Sequence, residues 1–130
     1  MALKAVEHGV EAIVVSNHGG RSLHSTIPAI HVLPEIAKAV NGRCEIYFDS
    51  GIRNGGDVAK AICLGANAVF VGRPIIWGLA CGGKEGAQKV LEILRDEFEL
   101  TMKLLGVTSI KELQSVPELV VHESNILSRL

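Results

Sequence analysis

The sequence has almost no net charge, no long hydrophobic run and no signal for export. Its 13 basic and 14 acidic residues give a formal net charge of -1, which offers no electrostatic footprint for nucleic acid or an anionic membrane surface. No apolar stretch approaches the ~18 residues of a membrane span, and the N-terminus lacks a basic region followed by an apolar run. We therefore expect neither secretion nor membrane insertion, and we expect small solutes as partners.

The cysteines and histidines also lack the spacing of a metal site. The three cysteines are Cys44, Cys63 and Cys81. Their odd number, wide separation and apolar surroundings favour buried free thiols in a reducing compartment. His24 and His31 follow His18 along the chain, but no carboxylate or cysteine joins them at ligand spacing. No metal is expected.

What is present is an alternation of apolar and helix-like segments that suits one globular core. The apolar runs are Ala12–Val15, Glu45–Phe48 and 68–71, and the helix-like stretches are 34–40, 57–64 and 85–105. The runs are continuously apolar, as in parallel strands that are buried on both faces. The order therefore predicts an α/β fold with a parallel sheet.

Several local features predict where helices begin and how the tail is arranged. Pro34 and Asp57 mark two helix starts, with Asp57 as the cap of the second. Thr108 and Ser109 precede a short capped helix over 110–113, and 117–121 reads as an extended segment that wraps the preceding unit. Trp77 is expected to pack in the core.

A polar segment directly follows the first apolar run, and it reads Ser16-Asn17-His18-Gly19-Gly20-Arg21. In β/α barrels, the chemistry gathers at the carboxyl ends of the strands. His18 can accept a proton near neutral pH, and Arg21 can grip a planar carboxylate through two parallel hydrogen bonds. The pair suits an acidic organic substrate. The alternative, that His18 caps a turn and Arg21 is a solvated loop cation, is open at this point.

Two glycine-rich segments, each with an arginine, follow the second and third apolar runs. They read Asp49-Ser50-Gly51-Ile52-Arg53-Asn54-Gly55-Gly56 and Gly72-Arg73-Pro74. Glycines let backbone N–H groups approach a phosphate, and helix N-termini and arginines favour its charge. The two segments together indicate a phosphate cradle, although turn geometry and surface salt bridges are the alternative. Asp49 could bond sugar hydroxyls or brace a loop arginine.

These three motifs, in this order and spacing, resemble those of the FMN-dependent α-hydroxy acid oxidases and dehydrogenases, which include glycolate oxidase. The resemblance runs from about residue 3 to residue 105 and includes Leu33-Pro34-Glu35-Ile36 and Trp77-Gly78-Leu79-Ala80. It implies the C-terminal part of a (β/α)8 TIM barrel, namely the last three βα units, plus a C-terminal tail. Residues 1–106 would belong to the barrel and residues 107–130 to the tail.

The resemblance also implies a role for each motif. His18 would be the active-site base, Arg21 would bind the substrate carboxylate, and Ser16 would lie near the flavin. The residues implied to hold the ribityl phosphate of FMN are Asp49, Ser50, Gly51, Ile52, Arg53, Gly72 and Arg73. The reaction would convert a small L-2-hydroxy acid to a 2-oxo acid and, in the oxidases, reduce oxygen to hydrogen peroxide.

The chain ends in Ser128-Arg129-Leu130, a close variant of the Ser-Lys-Leu peroxisomal address. This tripeptide predicts a peroxisomal import receptor as a partner and the peroxisome as the location. A location that tolerates peroxide favours the oxidase branch of the family. We expect the full-length enzyme to be a homo-oligomer.

The chain is shorter than a complete barrel, which needs about 250 residues. We expect one sheet face and two sheet edges to be exposed, and the isolated chain to be unstable or to need a partner. Two functions therefore stay open. The chain could be part of a 2-hydroxyacid oxidase, or a non-catalytic chain that associates with full-length subunits or only binds phosphate-bearing ligands. Another phosphate-binding barrel enzyme is a weaker third reading, because it would not explain a histidine three residues before the arginine.

Overall fold

Parallel strands alternate with helices along the chain. A computed structural model describes residues 1–122 and residue 125. The helices of this part are α1 (Ala2–Glu7), α2 (Ala29–Val40), α3 (Gly55–Cys63), α4 (Arg73–Leu105) and α5 (Ile110–Gln114), and the strands are β1 (Ala12–Val15), β2 (Glu45–Phe48) and β3 (Ala68–Val69). The predicted α/β class is confirmed, and the terminal tripeptide 128–130 lies outside the described residues.

The strands form one parallel sheet in the sequential order β1-β2-β3. Val15 lies opposite Phe48, and Phe48 lies opposite Val69. Because right-handed crossovers that step in one direction place their helices on one face, α2 and α3 cover the same side of the sheet. We call this the helix side and the other the open side. The predicted bounds of β1 and β2 are confirmed. Strand β3 is two residues shorter than predicted, although Phe70 N–H still donates to Phe48 O at 2.8 Å.

The hydrophobic core lies between the helix side of the sheet and the helices. Leu33 of α2 is fully buried, Phe48 is 1% exposed and Leu113 of α5 is fully buried. Each such side chain contributes about 1.5–3 kcal/mol by leaving water. The open side differs, because Val14 is 55% and Phe70 50% exposed. The expectation of one exposed sheet face is confirmed, whereas burial of the strands on both faces is wrong for the described chain.

Helix α2 begins earlier than predicted. It starts after Pro28, whose carbonyl accepts a hydrogen bond from His31 N–H at 3.0 Å. Pro34 therefore lies inside the helix instead of at its start. Its side chain is exposed, so the ring occupies the outer surface and does not disturb the core.

Helix α3 is capped by a different residue from the one predicted. Asn54 Oδ1 accepts from Asp57 N–H at 2.9 Å, so Asn54 is the cap and the helix begins at Gly55. The carboxylate of Asp57 instead accepts from Arg53 N–H at 3.2 Å. Asn and Asp cap helices equally well, so residue type could not distinguish Asn54 from Asp57. The helix begins three residues earlier than a cap at Asp57 would place it, and this earlier start makes Asn54 the cap.

Helix α4 begins twelve residues earlier than the predicted start at 85, because Pro74 in its first turn is already helical and Gly72 is its cap. Gly82 and Gly83 have non-helical dihedral angles and kink the helix. This kink explains why the sequence pattern suggested a later start. Trp77 lies on the first half and is 65% exposed, so its predicted place in the core is wrong.

The tail packs onto the core through α5. Ser109 Oγ accepts from Glu112 N–H at 3.1 Å, which confirms the predicted cap. The predicted extended segment is wrong in part, because Pro117–Leu119 form a 3-10 turn that the Pro117 ring favours. Buried thiols are confirmed for Cys63 only, since Cys44 is half-buried and Cys81 is exposed near the α4 kink.

Candidate active site at the carboxyl ends of the strands

A cleft of about 690 Å³ lies where the three strands end. It is lined by His18, Gly19, Arg21, Asp49, Ser50, Gly51, Ile52, Arg53, Phe70, Val71, Gly72, Arg73, Pro74, Ile76 and Trp77. The structure thus gathers around one cleft all of the residues that the sequence singled out for substrate and cofactor, with the exception of Ser16. The parallel sheet is the reason, because the loops after neighbouring parallel strands meet at one edge.

The loop after β1 holds His18 by a series of hydrogen bonds to its backbone. His18 N–H donates to Ser16 Oγ at 3.0 Å, and Gly20 N–H donates to Asn17 Oδ1 at 3.2 Å. His18 itself has a φ of 55°, in the left-handed region that few non-glycine residues adopt. Its side chain is exposed beside the cleft. Ser16 therefore binds the backbone amide of His18 in this structure, and its predicted place near a flavin stays a prediction.

The loop after β2 reaches across to the loop after β1 through Ser50. Ser50 Oγ accepts from Asn17 N–H at 3.3 Å and from Gly19 N–H at 3.1 Å. The same hydroxyl donates to Asp49 Oδ1 at 2.6 Å. Among the described residues Asp49 braces a serine and no arginine, so the predicted bracing of a loop arginine is not found, and its contact with sugar hydroxyls stays a prediction. Ile52 of this loop borders the cleft but is only 5% exposed, because its side chain enters the core.

Three arginines give the cleft a positive character. Arg21, Arg53 and Arg73 are exposed, and none of them forms an ion pair with a carboxylate in the described part of the chain. Arg73 also opens α4, whose N-terminal N–H groups add a favourable dipole for an anion. Its Nη2 donates to Gly19 O at 3.2 Å, which ties the third loop to the first. Phosphate and carboxylate groups are the ligands that such a donor set suits.

The apolar wall of the cleft was not anticipated from the sequence. Phe70, Ile76 and Trp77 are at least half exposed and line it. The signal that could have found two of them was Pro74, which favours the first turn of a helix and so places Ile76 and Trp77 near the start of α4. Behind Phe70, the Tyr47 ring contacts it edge-on at 5.8 Å between centroids. The Tyr47 hydroxyl donates to the Glu45 carboxylate, and this bond, with the negative charge of Glu45, raises the pKa of Tyr47.

Two other kinds of function find no support in residues 1–122 and 125. No group of three or more His, Cys, Asp or Glu side chains in that part of the chain could hold a metal ion. None of its helices is long and apolar enough to cross a membrane.

Fold and cleft together define a parallel α/β protein with an arginine-lined cleft at the carboxyl ends of the strands. A profile of the family described as FMN-dependent dehydrogenase matches residues 1–120. The chain belongs to this family of FMN-dependent enzymes. The resemblance stated from the motifs is confirmed.

Individual relatives agree with the family assignment. The chain is 57% identical over 110 residues to 2-hydroxyacid oxidase 1 of Mus musculus, covering 85% of this chain and 30% of that protein. It is 52% identical over 112 residues to the peroxisomal (S)-2-hydroxyacid oxidase GLO3 of Arabidopsis thaliana, covering 86% of this chain and 31% of that protein. A mandelate oxidase mutant with a monooxide FMN adduct superposes with a TM-score of 0.84 at 50% identity, over 87% of this chain and 36% of that one. The chain thus spans about a third of the length of these relatives.

The cleft fits the phosphate end of FMN, the cofactor of the family. A Cβ added at Gly51 or at Gly72 would meet nothing within 4 Å, so both backbones border open space that a phosphate could approach. Gly51 has a φ of 87°, which also favours glycine there. Arg53 and Arg73 stand in the same two loops and offer charge-assisted hydrogen bonds. The residues present are those that such a group requires.

Proposed function

We propose that this chain supplies the substrate-binding and phosphate-binding residues of an FMN-dependent oxidase of L-2-hydroxy acids. The observation that carries the proposal is the gathering of His18, Arg21, Arg53 and Arg73 around one cleft. A base and a carboxylate-binding cation stand in the first loop, and the phosphate-binding arginines stand in the other two. We assign residues 1–106 to the last three βα units of a (β/α)8 barrel and residues 107–130 to a C-terminal tail.

His18 and Arg21 would act on the substrate directly. The Arg21 guanidinium would hold the carboxylate of the 2-hydroxy acid through two parallel hydrogen bonds, which fixes the adjacent carbon. The exposed imidazole of His18 would then accept the proton lost when the carbinol becomes a carbonyl. His18 reaches this position because its backbone is held in the left-handed conformation by the loop around it.

Arg53 and Arg73, with the backbone of Gly51 and Gly72, would hold the phosphate of FMN. Asp49, Ser50 and Ile52 complete the loop that carries Gly51. When bound, FMN would supply the acceptor for the two electrons that leave the 2-hydroxy acid. The apolar side chains of Phe70, Ile76 and Trp77 line the same cleft and would limit the access of water there.

We also propose oxygen as the final acceptor, with hydrogen peroxide as the product, and the peroxisome as the location. Two relatives that match this chain at 57% and 52% identity are named oxidases, and the second is named peroxisomal. The terminal Ser128-Arg129-Leu130 would bind the import receptor. The homo-oligomer expected for a full-length enzyme belongs to the same proposal.

The direct test is FMN binding followed by turnover. The purified chain is titrated with FMN, the flavin spectrum is recorded, and peroxide is measured with glycolate and with longer 2-hydroxy acids. We expect a perturbed flavin spectrum, and loss of peroxide formation in His18→Ala without loss of FMN. His24→Ala is the matched control, because His24 is exposed in the same loop and does not line the cleft. Equal turnover in His18→Ala and His24→Ala would overturn the role of His18, and absence of FMN binding would overturn the proposal for this chain.

The open side of the sheet favours a second candidate function. Val14 and Phe70 are half exposed there, and β1 and β3 pair on one edge only. A non-catalytic chain that associates with full-length subunits would cover this face. The test is co-purification of the chain with a full-length oxidase of the family. Co-purification that is lost in Val14→Glu, together with no FMN binding by the isolated chain, would favour this candidate over the first.

A further inference from the structure

The hydroxyl of Ser50 has its full hydrogen-bonding capacity engaged within the protein. A serine hydroxyl has one donor and two acceptor positions. Its donor goes to Asp49 Oδ1 at 2.6 Å, and its acceptor positions take Asn17 N–H at 3.3 Å and Gly19 N–H at 3.1 Å. A phosphate oxygen could bind this hydroxyl only after one of these bonds broke.

The two amides that Ser50 binds stand immediately before and after His18. The Ser50 hydroxyl oxygen therefore binds the amides on both sides of His18, whose φ is 55°, and we call this pair of hydrogen bonds the bracket. Ser16 Oγ accepts from His18 N–H and Asn17 Oδ1 from Gly20 N–H, so side-chain oxygens bind four consecutive amides. Of these four hydrogen bonds, the two that Ser50 Oγ accepts join the loop after β1 to the loop after β2.

The backbone of Ser50 is strained at the same point. Its φ of 79° lies in the region that glycine adopts freely and that other residues rarely adopt. Gly51, with a φ of 87°, follows directly. A serine at such a position needs compensation, and the three hydrogen bonds of its hydroxyl provide it.

We propose that Ser50 is a positioning residue that fixes His18 by fastening the loop after β1 to the phosphate-binding loop after β2. Its hydroxyl binds neither substrate nor cofactor. The bracket itself is a property of the chain, and only its effect on turnover rests on the proposed function. Arg73 reinforces the same junction, because its guanidinium donates to the carbonyl of Gly19.

The first test measures amide hydrogen exchange by NMR in the 130-residue chain without cofactor. In Ser50→Gly, which relieves the strain and removes the hydroxyl, we expect exchange at Asn17 and Gly19 to accelerate about tenfold, the equivalent of one lost hydrogen bond. The amides of His18 and Gly20 keep their partners and should change little. Because glycine favours the backbone angle at position 50, this variant is expected to fold.

Two further variants serve as controls. Ser25→Gly relieves another serine with positive φ, 59°, in an exposed position outside the bracket, and it should alter none of the four amides. Ser16→Ala should accelerate exchange at His18 alone. Unchanged exchange at Asn17 and Gly19 in Ser50→Gly, or equal acceleration at all four amides, would overturn the proposal.

The second test separates positioning from cofactor binding. In Ser50→Gly we expect kcat for a 2-hydroxy acid to fall by up to about 100-fold, because the base is misplaced, while the Kd for FMN stays at the value of the unmodified chain. A raised Kd for FMN with unchanged kcat would overturn the proposal, because it would make Ser50 a phosphate ligand. If the unmodified chain binds no FMN while the exchange result is as expected, the proposed function fails and the bracket stands.

Discussion

The two sides of the sheet carry the same kinds of apolar side chain, but these side chains differ in their exposure to solvent. Phe48 ends β2 and Phe70 directly follows the neighbouring strand β3, yet Phe48 on the helix side is 1% exposed and Phe70 on the open side is 50% exposed. Val15 and Val14 differ in the same way, at 6% and 55%. Helices cover one side, and so the apolar residues there stabilise the fold. On the open side, the apolar residues are half exposed and contribute little to stability, and Phe70 also lines the cleft.

The backbone shows the same division. No residue of β1 or β2 has positive φ, whereas His18 and Ser50, in the loops that follow these strands, have positive φ without being glycine. Burial does not hold these two residues, since His18 is exposed and Ser50 is half-buried. Hydrogen bonds that backbone amides donate to side-chain oxygens hold them instead. Stability and site geometry therefore depend on different interactions, and variants should separate them.

The largest contrast is expected between Phe48→Ala and Phe70→Ala. Truncating Phe48 leaves a cavity beneath the helices and should lower the free energy of unfolding by about 3–5 kcal/mol. Truncating Phe70 removes a half-exposed ring and its edge contact with Tyr47, for which we expect about 1 kcal/mol or less. Urea denaturation followed by circular dichroism measures both.

Phe70→Ala serves as the control for Phe48→Ala, because the same atoms are removed directly after the adjacent strand. Equal losses of stability would mean that the open side is covered in solution. That result would contradict the division between the two sides and would favour self-association through the open side.

A second contrast is expected between two glycines. A Cβ at Gly55 would collide with the backbone of Glu97 and Phe98 in α4, so Gly55→Ala should cost about 1–3 kcal/mol of stability through overpacking. A Cβ at Gly72 would meet nothing within 4 Å, and Gly72→Ala should leave stability within about 0.5 kcal/mol of the unmodified chain. The extra methyl at Gly72 should instead weaken the binding of FMN, which a fluorescence titration measures.

The two glycine variants control each other. A destabilised Gly72→Ala would show that the loop after β3 belongs to the core and not to the cleft. A stable Gly55→Ala with normal circular dichroism would mean that α3 and α4 do not approach as closely as the structure shows.

The strands and the site residues were predictable from the sequence for a physical reason. A buried parallel strand is a continuous apolar run, so the bounds of β1 and β2 follow from composition, and the loops after such strands must share one edge. That edge was sufficient to place His18, Arg53 and Arg73 around one site. The family resemblance supplied their chemical roles, which spacing alone left open.

The features that sequence reasoning missed depend on contacts between distant residues. The early start of α4 was missed because Gly82 and Gly83 interrupt the apolar pattern of the helix. The exposure of Trp77, which lies before this interruption, was missed for the same reason. The hydrogen bonds that the Asn17 and Gly19 amides donate to Ser50 Oγ join residues more than thirty positions apart. No local pattern encodes such a contact, and a serine at a position that suits glycine was the available hint.

The thiols offer a contrast that leaves the fold intact. Burial, with a smaller contribution from Glu118, raises the pKa of Cys63, and its Sγ lies 3.1 Å from Val116 O. Because the thiolate is the reactive form and burial also limits access to the sulfur, Cys63 should react with iodoacetamide markedly more slowly than the exposed Cys81. Mass spectrometry of the labelled peptides measures both rates. Equal labelling rates for Cys63 and Cys81 in the folded chain, with no acceleration of Cys63 in urea, would contradict the burial of Cys63.

The smallest effect is expected at the cap of α5, on the outer surface of the helix side. The Glu112 carboxylate accepts from Thr108 N–H at 2.7 Å and from Thr108 Oγ at 2.9 Å, and these bonds lower the pKa of Glu112. A lowered pKa in the folded chain stabilises it above the unfolded pKa of about 4.3, and this contribution is lost as the pH falls through the folded pKa. Glu112→Ala should therefore lower the Tm at pH 7 by less than Gly55→Ala does, and the difference from the unmodified chain should shrink at pH 3. Lys111→Ala, an exposed change in the same helix, is the control and should show no such pH dependence. A Glu112→Ala deficit of equal size at both pH values would mean that packing of α5, and not the charged carboxylate, accounts for it.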